Sequence, residues 1–259
     1  MFLQSQNRIS NDNFFALTVL EYFLLFLSVL AGGGIAFYFR KNNKQILRLV
    51  LSFSGAYILG ITVLHLMPGV FGTGSHSAGL YVLLGFFIQL FLEQFSGGAE
   101  HGHIHAHQNA SARFAVSVMT GLCVHAFLEG MPLGSYESLH ADTHGHSHSH
   151  NHLLIGVILH KAPAAFALVL LLLLSDFSKK TTTICLLIFA VMSPLGGLAV
   201  EFARISLEMQ RMITGVVVGS FLHISTTIIF EADGGKHSIS GKKLTAILAG
   251  MGMALLTLL

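Results

Sequence analysis

The sequence predicts an all-α membrane protein of eight transmembrane helices, on three observations. Only 10% of the 259 residues are charged and 53% are hydrophobic, with a mean hydropathy of +0.71, whereas a water-soluble domain carries about 25% charged residues to keep its surface hydrated. Apolar runs of membrane-crossing length recur along the whole chain. Short polar stretches separate them, and two of these separators are rich in histidine, of which the chain has 16. The net charge of +2 is too balanced for a nucleic-acid partner. Cys123 and Cys185 both lie inside apolar runs, so no disulfide framework is on offer.

A helix needs roughly 20 mainly apolar residues to cross the hydrocarbon core. Such runs fall near 14–39, 46–70, 78–95, 113–136, 153–174, 181–203, 211–231 and 244–259. The fifth is the plainest, with five leucines or equivalents from Leu170 to Leu174, while the third and eighth sit near the lower length limit. The first run is too long for a signal-peptide core and is followed by Arg40, Lys41 and Lys44, as a stop-transfer segment would be. It is expected to be retained.

Cations set the orientation. Arg40, Lys41, Lys44 and Arg48 lie between spans one and two, Arg113 ends the third connection, Lys179 and Lys180 fill the fifth, and Lys236, Lys242 and Lys243 fill the seventh. The opposite side has only Arg8, Arg204 and Arg211. Odd-numbered connections are therefore expected in the cytoplasm and both termini outside it, in a plasma membrane or bacterial inner membrane.

Residues 1–259 form a single transporter domain with two low-complexity loops. A cytoplasmic loop at 96–110 carries His101, His103, His105 and His107, and an external loop at 137–152 carries His140, His144, His146, His148, His150 and His152. Histidine alternating with Gly, Ser or Ala builds no packed core. The loops read as multidentate metal capture in preference to polar linkers of drifted composition. Spans two and seven share a faint pattern, glycines four or five residues apart followed by His65 or His223, which fits either related helices or close helix packing.

Ionisable groups inside a bilayer are costly, about 2.5–3.5 kcal/mol each on insertion scales, so those that persist usually have a function. Span four holds His125 and Glu129, four residues apart and so on one helical face. Span five holds His160-Lys161-Ala-Pro163. Pro163 frees the carbonyl of Leu159 and is expected to open an irregular turn there, and Pro132 to disturb span four beyond Glu129. Two imidazoles and a carboxylate at similar depth make a ligand set for Zn²⁺, Fe²⁺ or Mn²⁺. The bland alternative is an interhelical His–Glu hydrogen bond.

The strings His125-x-x-x-Glu129-Gly in the fourth of eight helices and His160-Lys161-Ala-Pro-Ala-Ala-Phe in the fifth resemble the ZIP (Zrt/Irt-like) family of divalent metal transporters, in particular a subgroup with His-Lys-Ala-Pro-Ala-Ala in helix five. The resemblance covers nearly the whole chain. It implies import of a divalent metal toward the cytoplasm through a site between helices four and five. It also implies an elevator-type movement of helices 1, 4, 5 and 6 against a dimer-forming scaffold of helices 2, 3, 7 and 8.

By position, His125, Glu129 and His160 would be the metal ligands. Ala126, Lys161 and Ala164 stand where the family's second metal finds Asn, Asp and Glu, so one transport metal is expected, with the Lys161 ammonium in the second-metal volume and paired with Glu129. Water or the Leu159 carbonyl would complete the coordination. Zn²⁺ is the default substrate, with Fe²⁺, Mn²⁺ and Cd²⁺ also accommodated, and no catalytic cofactor is implied.

His65 and His223 read equally as auxiliary metal ligands or as satisfied packing residues. Glu21, Glu93, Glu201 and Glu231, near span ends, read as structural. Two other functional classes compete with this reading. A zinc-dependent intramembrane hydrolase needs a general base beside metal-bound water, and no His-Glu-x-x-His string is present. A metal sensor or buffer would need little beyond the two loops.

Overall fold

In a computed structural model, the structure describes residues 2–38, 44–72, 77–99, 110–134, 149–231 and 240–258. Among the described residues there are helices and no strands. Eight helical segments follow one another: α1 (Phe2–Tyr38), α2 (Lys44–Ile61, continued through a π-helical turn at Thr62–Leu66 into Met67–Phe71), α3 (Ala78–Ser96), α4 (Ala112–Gly130), α5 (Ser149–Leu174), α6 (Lys179–Ala203), α7 (Leu207–Glu231) and α8 (Gly241–Leu256). Seven are long and apolar enough to cross a membrane. The exception is α8, whose 16 residues extend about 24 Å at the usual helical rise.

The distribution of side chains is that of a protein in lipid. Leu80, Phe87, Phe91, Phe202 and Phe230 face outward, whereas Ser52, Ser54, Gln89, His125, Glu129 and Lys161 are buried. In lipid the backbone must satisfy itself within the segment, which is why the spans are helical. The protein is an integral, multi-pass, all-α membrane protein.

Local chemistry sets the helix ends. Ser111, Ser178 and Ser240 are extended residues whose hydroxyls accept from the N–H groups of Phe114, Thr181 and Lys243, capping α4, α6 and α8. Gly97 closes α3 at φ 60°, its N–H bonding the Glu93 carbonyl at 2.8 Å. In α2, Pro68 has no N–H to give the Leu64 carbonyl. The chain widens just before it, and the Met67 N–H reaches the Thr62 carbonyl five residues back. Pro132 has a related effect on α4, which tightens into a 3-10 turn at Met131–Gly134. Pro163 differs: α5 is helical without a break from Ser149 to Leu174, and the irregular turn expected at Leu159 does not interrupt it.

The helices associate in two groups. Helices α1, α4, α5 and α6 pack chiefly on one another, as do α2, α3, α7 and α8. Glycines allow the closest approaches, and these lie mostly inside the groups. A Cβ at Gly32 of α1 would collide with the Ala162 carbonyl of α5, and one at Gly130 of α4 with the Ser193 carbonyl of α6. In the other group, Gly85 of α3 meets the Val216 carbonyl of α7, and Gly250 of α8 meets the Phe53 carbonyl of α2. Between the groups, Gly121 of α4 approaches α3 at the Leu92 carbonyl.

The first group has an apolar core of its own, from Val29, Val118, Leu122, Leu168, Leu172 and Phe189. A second core joins α2 and α7 to the opposite ends of α1 and α5, through Tyr57, Ile61, Phe221, Leu25 and Leu153. The α5 helix, the most enclosed span, therefore belongs to both.

Candidate metal centre

Helical periodicity brings His125 and Glu129 to one face of α4, and the close α4–α6 contact keeps that face turned inward. Both are buried, at 2% and 1% exposure. The α5 helix supplies His160 and Lys161, each 1% exposed, on neighbouring sides of the helix. One ligand atom from each of His125, Glu129 and His160 lies within 4.8 Å of the others. Among the described residues this is the one such group of three. The two imidazoles are almost perpendicular, at 89°, with centroids 6.2 Å apart.

Glu129 is the hinge of the arrangement. Its Oε2 is 3.5 Å from His125 Nε2 and 2.7 Å from Lys161 Nζ. Its Oε1 is buried and has no hydrogen-bond partner among the described residues. An orphaned, buried carboxylate oxygen loses hydration without replacement, and a cation bound by the carboxylate would offset that loss. The Lys161 ammonium also lies 4.7 Å from the centroid of the Phe189 ring on α6.

Ala126 and Ala164 are buried and carry no side-chain oxygen, and the backbone carbonyl of Ala126 accepts a hydrogen bond from Ser193 at 2.9 Å.

Sequence reasoning missed Ser220 of α7 and Gln89 of α3. Ser220 donates its hydroxyl proton to Gln89 Oε1 at 2.9 Å, and its oxygen lies 3.5 Å from His125 Nδ1. Ser220 thus stands beside Nδ1, on the side of the ring away from Nε2, where a ligand's outer partner sits. The available signal was the burial cost of a glutamine inside Phe86-Phe-Ile-Gln89-Leu; its partner was not readable from one helix.

Among the described residues, His65, His152 and His223 are not part of this group. His65, in the π-helical turn of α2, places Nε2 2.6 Å from Thr257 Oγ1 of α8, with its ring 5.6 Å from that of His152. His223 of α7 places Nε2 2.6 Å from Glu93 Oε2 of α3, beneath the edge of Phe86. Glu201 accepts from the Tyr22 hydroxyl at 3.4 Å. The side chains of His101, His103, His105, His107, His140, His144, His146, His148 and His150, and that of Glu231, lie outside the described residues.

The comparison with known proteins agrees with this layout. Residues 97–259, which include all three clustered side chains, match the sequence model of a family described as ZIP Zinc transporter. The zinc transporter ZIP9 of Micropogonias undulatus is 30% identical over 174 residues, covering 62% of this chain and 53% of the relative. ZIP9-B of Xenopus laevis is 31% identical, with 61% and 53% covered. The human zinc transporter ZIP1 is 26% identical, with 83% and 78% covered. The chain spans about half the length of the ZIP9 relatives it matches. With more than half of its residues inside the family match, and a buried His–Glu–His cluster between its fourth and fifth helices, the chain belongs to the ZIP zinc transporter family.

Proposed function

We propose that the protein carries divalent transition-metal ions, zinc first among them, across its membrane toward the cytoplasm. The metal is held between α4 and α5 by His125, Glu129 and His160. The observation that carries this reading is that three ligand atoms lie within 4.8 Å of one another in the buried interior of a multi-pass bundle. Two imidazoles and a carboxylate match the borderline character of Zn²⁺, and three protein ligands leave a fourth position for water or the Leu159 carbonyl. An open position favours exchange, as a carrier requires. Fe²⁺, Mn²⁺ and Cd²⁺ fit the same donors.

The movement is of the elevator type, with α1, α4, α5 and α6 sliding as a body against α2, α3, α7 and α8. Support comes from the glycine contacts, which are closest inside each group, and from the separate apolar core of the first group. The second group forms a homodimer scaffold. Arg48, Arg113, Lys179, Lys180, Lys242 and Lys243 lie at or near the starts of the even-numbered helices, so that end faces the cytoplasm and both termini lie outside. The histidine-rich loops capture metal at either end, and His65 and His223 serve as auxiliary groups near the route.

The test is initial-rate zinc uptake into proteoliposomes of the purified full-length chain, read by an indicator sealed inside, so that surface binding gives no signal. Saturable uptake in the wild type, lost in His125→Ala and Glu129→Ala, is the expected result. Zinc bound at the core without flux would reject transport in favour of a sensor.

A further inference from the structure

We propose that Lys161 is a tethered counter-cation that neutralises Glu129 while the site is unloaded and yields its place to the incoming metal. The inference rests on the transport reading above and adds a step to it. Lys161 Nζ lies 2.7 Å from Glu129 Oε2, the same oxygen that lies 3.5 Å from His125 Nε2. The ammonium thus holds the carboxylate oxygen that a metal shared with His125 would take. The two side chains are 1% and 0% exposed, so no water takes over from either partner.

A divalent ion and an ammonium that share one carboxylate oxygen in a dry interior repel each other, and each weakens the other's hold on it. Metal binding therefore exchanges one cation for another at Glu129. The displaced ammonium has a second station close at hand, the face of Phe189, already 4.7 Å from Nζ. On release the ammonium returns. With Lys161 present, the Glu129–Lys161 pair is neutral when empty and gains two charges when loaded. Without Lys161, the empty carrier would have to move with a bare carboxylate in its interior, which is strongly disfavoured. Lys161 thus enables the unloaded return stroke, and net transport depends on it more than exchange does.

The experiment compares two rates on the full-length protein in proteoliposomes: net zinc uptake into zinc-free vesicles, and exchange of labelled external zinc into zinc-loaded vesicles. In Lys161→Met, exchange stays within about threefold of wild type while net uptake falls about tenfold or more, because only the unloaded stroke carries an unpaired buried charge. Lys161→Arg, which keeps a cation, retains the wild-type ratio of the two rates.

The uncharged pair Glu129→Gln/Lys161→Met leaves no bare charge. It covers the case in which Lys161→Met does not fold: the amide is a poorer ligand, so both rates fall, but the ratio of the residual rates returns to that of the wild type. Net uptake and exchange falling by the same factor in Lys161→Met, or a ratio that stays depressed in the uncharged pair, would overturn the proposal. Neither uptake nor exchange in the wild type would instead remove the transport reading itself.

Discussion

Ser220 Oγ lies 3.5 Å from His125 Nδ1 while giving its own proton to Gln89 at 2.9 Å. The contact crosses from α7 of one helix group to α4 of the other, and it places a hydroxyl beside the ring nitrogen of His125 that is not Nε2. A ligand's outer partner commonly alters metal affinity without touching the metal.

Ser220→Ala removes the hydroxyl beside Nδ1. Zinc affinity at the core is expected to fall about tenfold, at the lower end of the usual range for such partners. A zinc titration on protein with both histidine-rich loops replaced by Gly/Ser measures it. Unchanged affinity would mean that Ser220 is not an outer partner of the ligand His125.

Replacing Lys161 with Asp adds a carboxylate where the ammonium stood. The zinc stoichiometry of the core, counted in the same loop-replaced background, is expected to rise from one to two. A count that stays at one would mean that the Lys161 ammonium, on Glu129 or over Phe189, is not what keeps a second ion out.

The close approach of α3 and α7 is predicted to be intolerant of side chains. Gly85→Val forces carbon atoms into the Val216 carbonyl, and overpacking of this kind costs about 1–3 kcal/mol. A lowered Tm in detergent is expected. By contrast Gly79→Ala, where an added Cβ meets nothing within 4 Å, leaves Tm unchanged.

His223 and Glu93 form a pair across α7 and α3 at 2.6 Å. His223→Ala leaves Glu93 without this partner in a largely buried position, and the expected loss is about 1–3 kcal/mol of stability. The double change His223→Leu/Glu93→Leu is expected to recover much of it. Recovery of stability with no recovery of zinc uptake would assign the pair to the transport route as well as to packing.

The spans were legible in the sequence because hydropathy is a local property, read one run at a time, and so was the pairing of His125 with Glu129, since a four-residue spacing fixes a shared helical face. The weak eighth run proved to be a helix of 16 residues, short enough that its length alone does not identify a span. Pro68 and Pro163 could not be told apart beforehand. Around Pro68 the α2 helix widens into a π turn, while α5 stays helical through Pro163, and the sequence around each proline does not fix which outcome packing selects.

The sequence by itself determined the membrane class, the helical order and the residue types able to bind a metal. Those follow from composition and from the period of the helix. The family resemblance already grouped His160 with His125 and Glu129 and paired Lys161 with Glu129; the tertiary structure supplied their distances, and it alone decided that Ser220 and Gln89 stand behind His125. Each of these joins residues on different helices, and the rotation and depth of one helix against another are set by side-chain and glycine packing, which no single helix encodes.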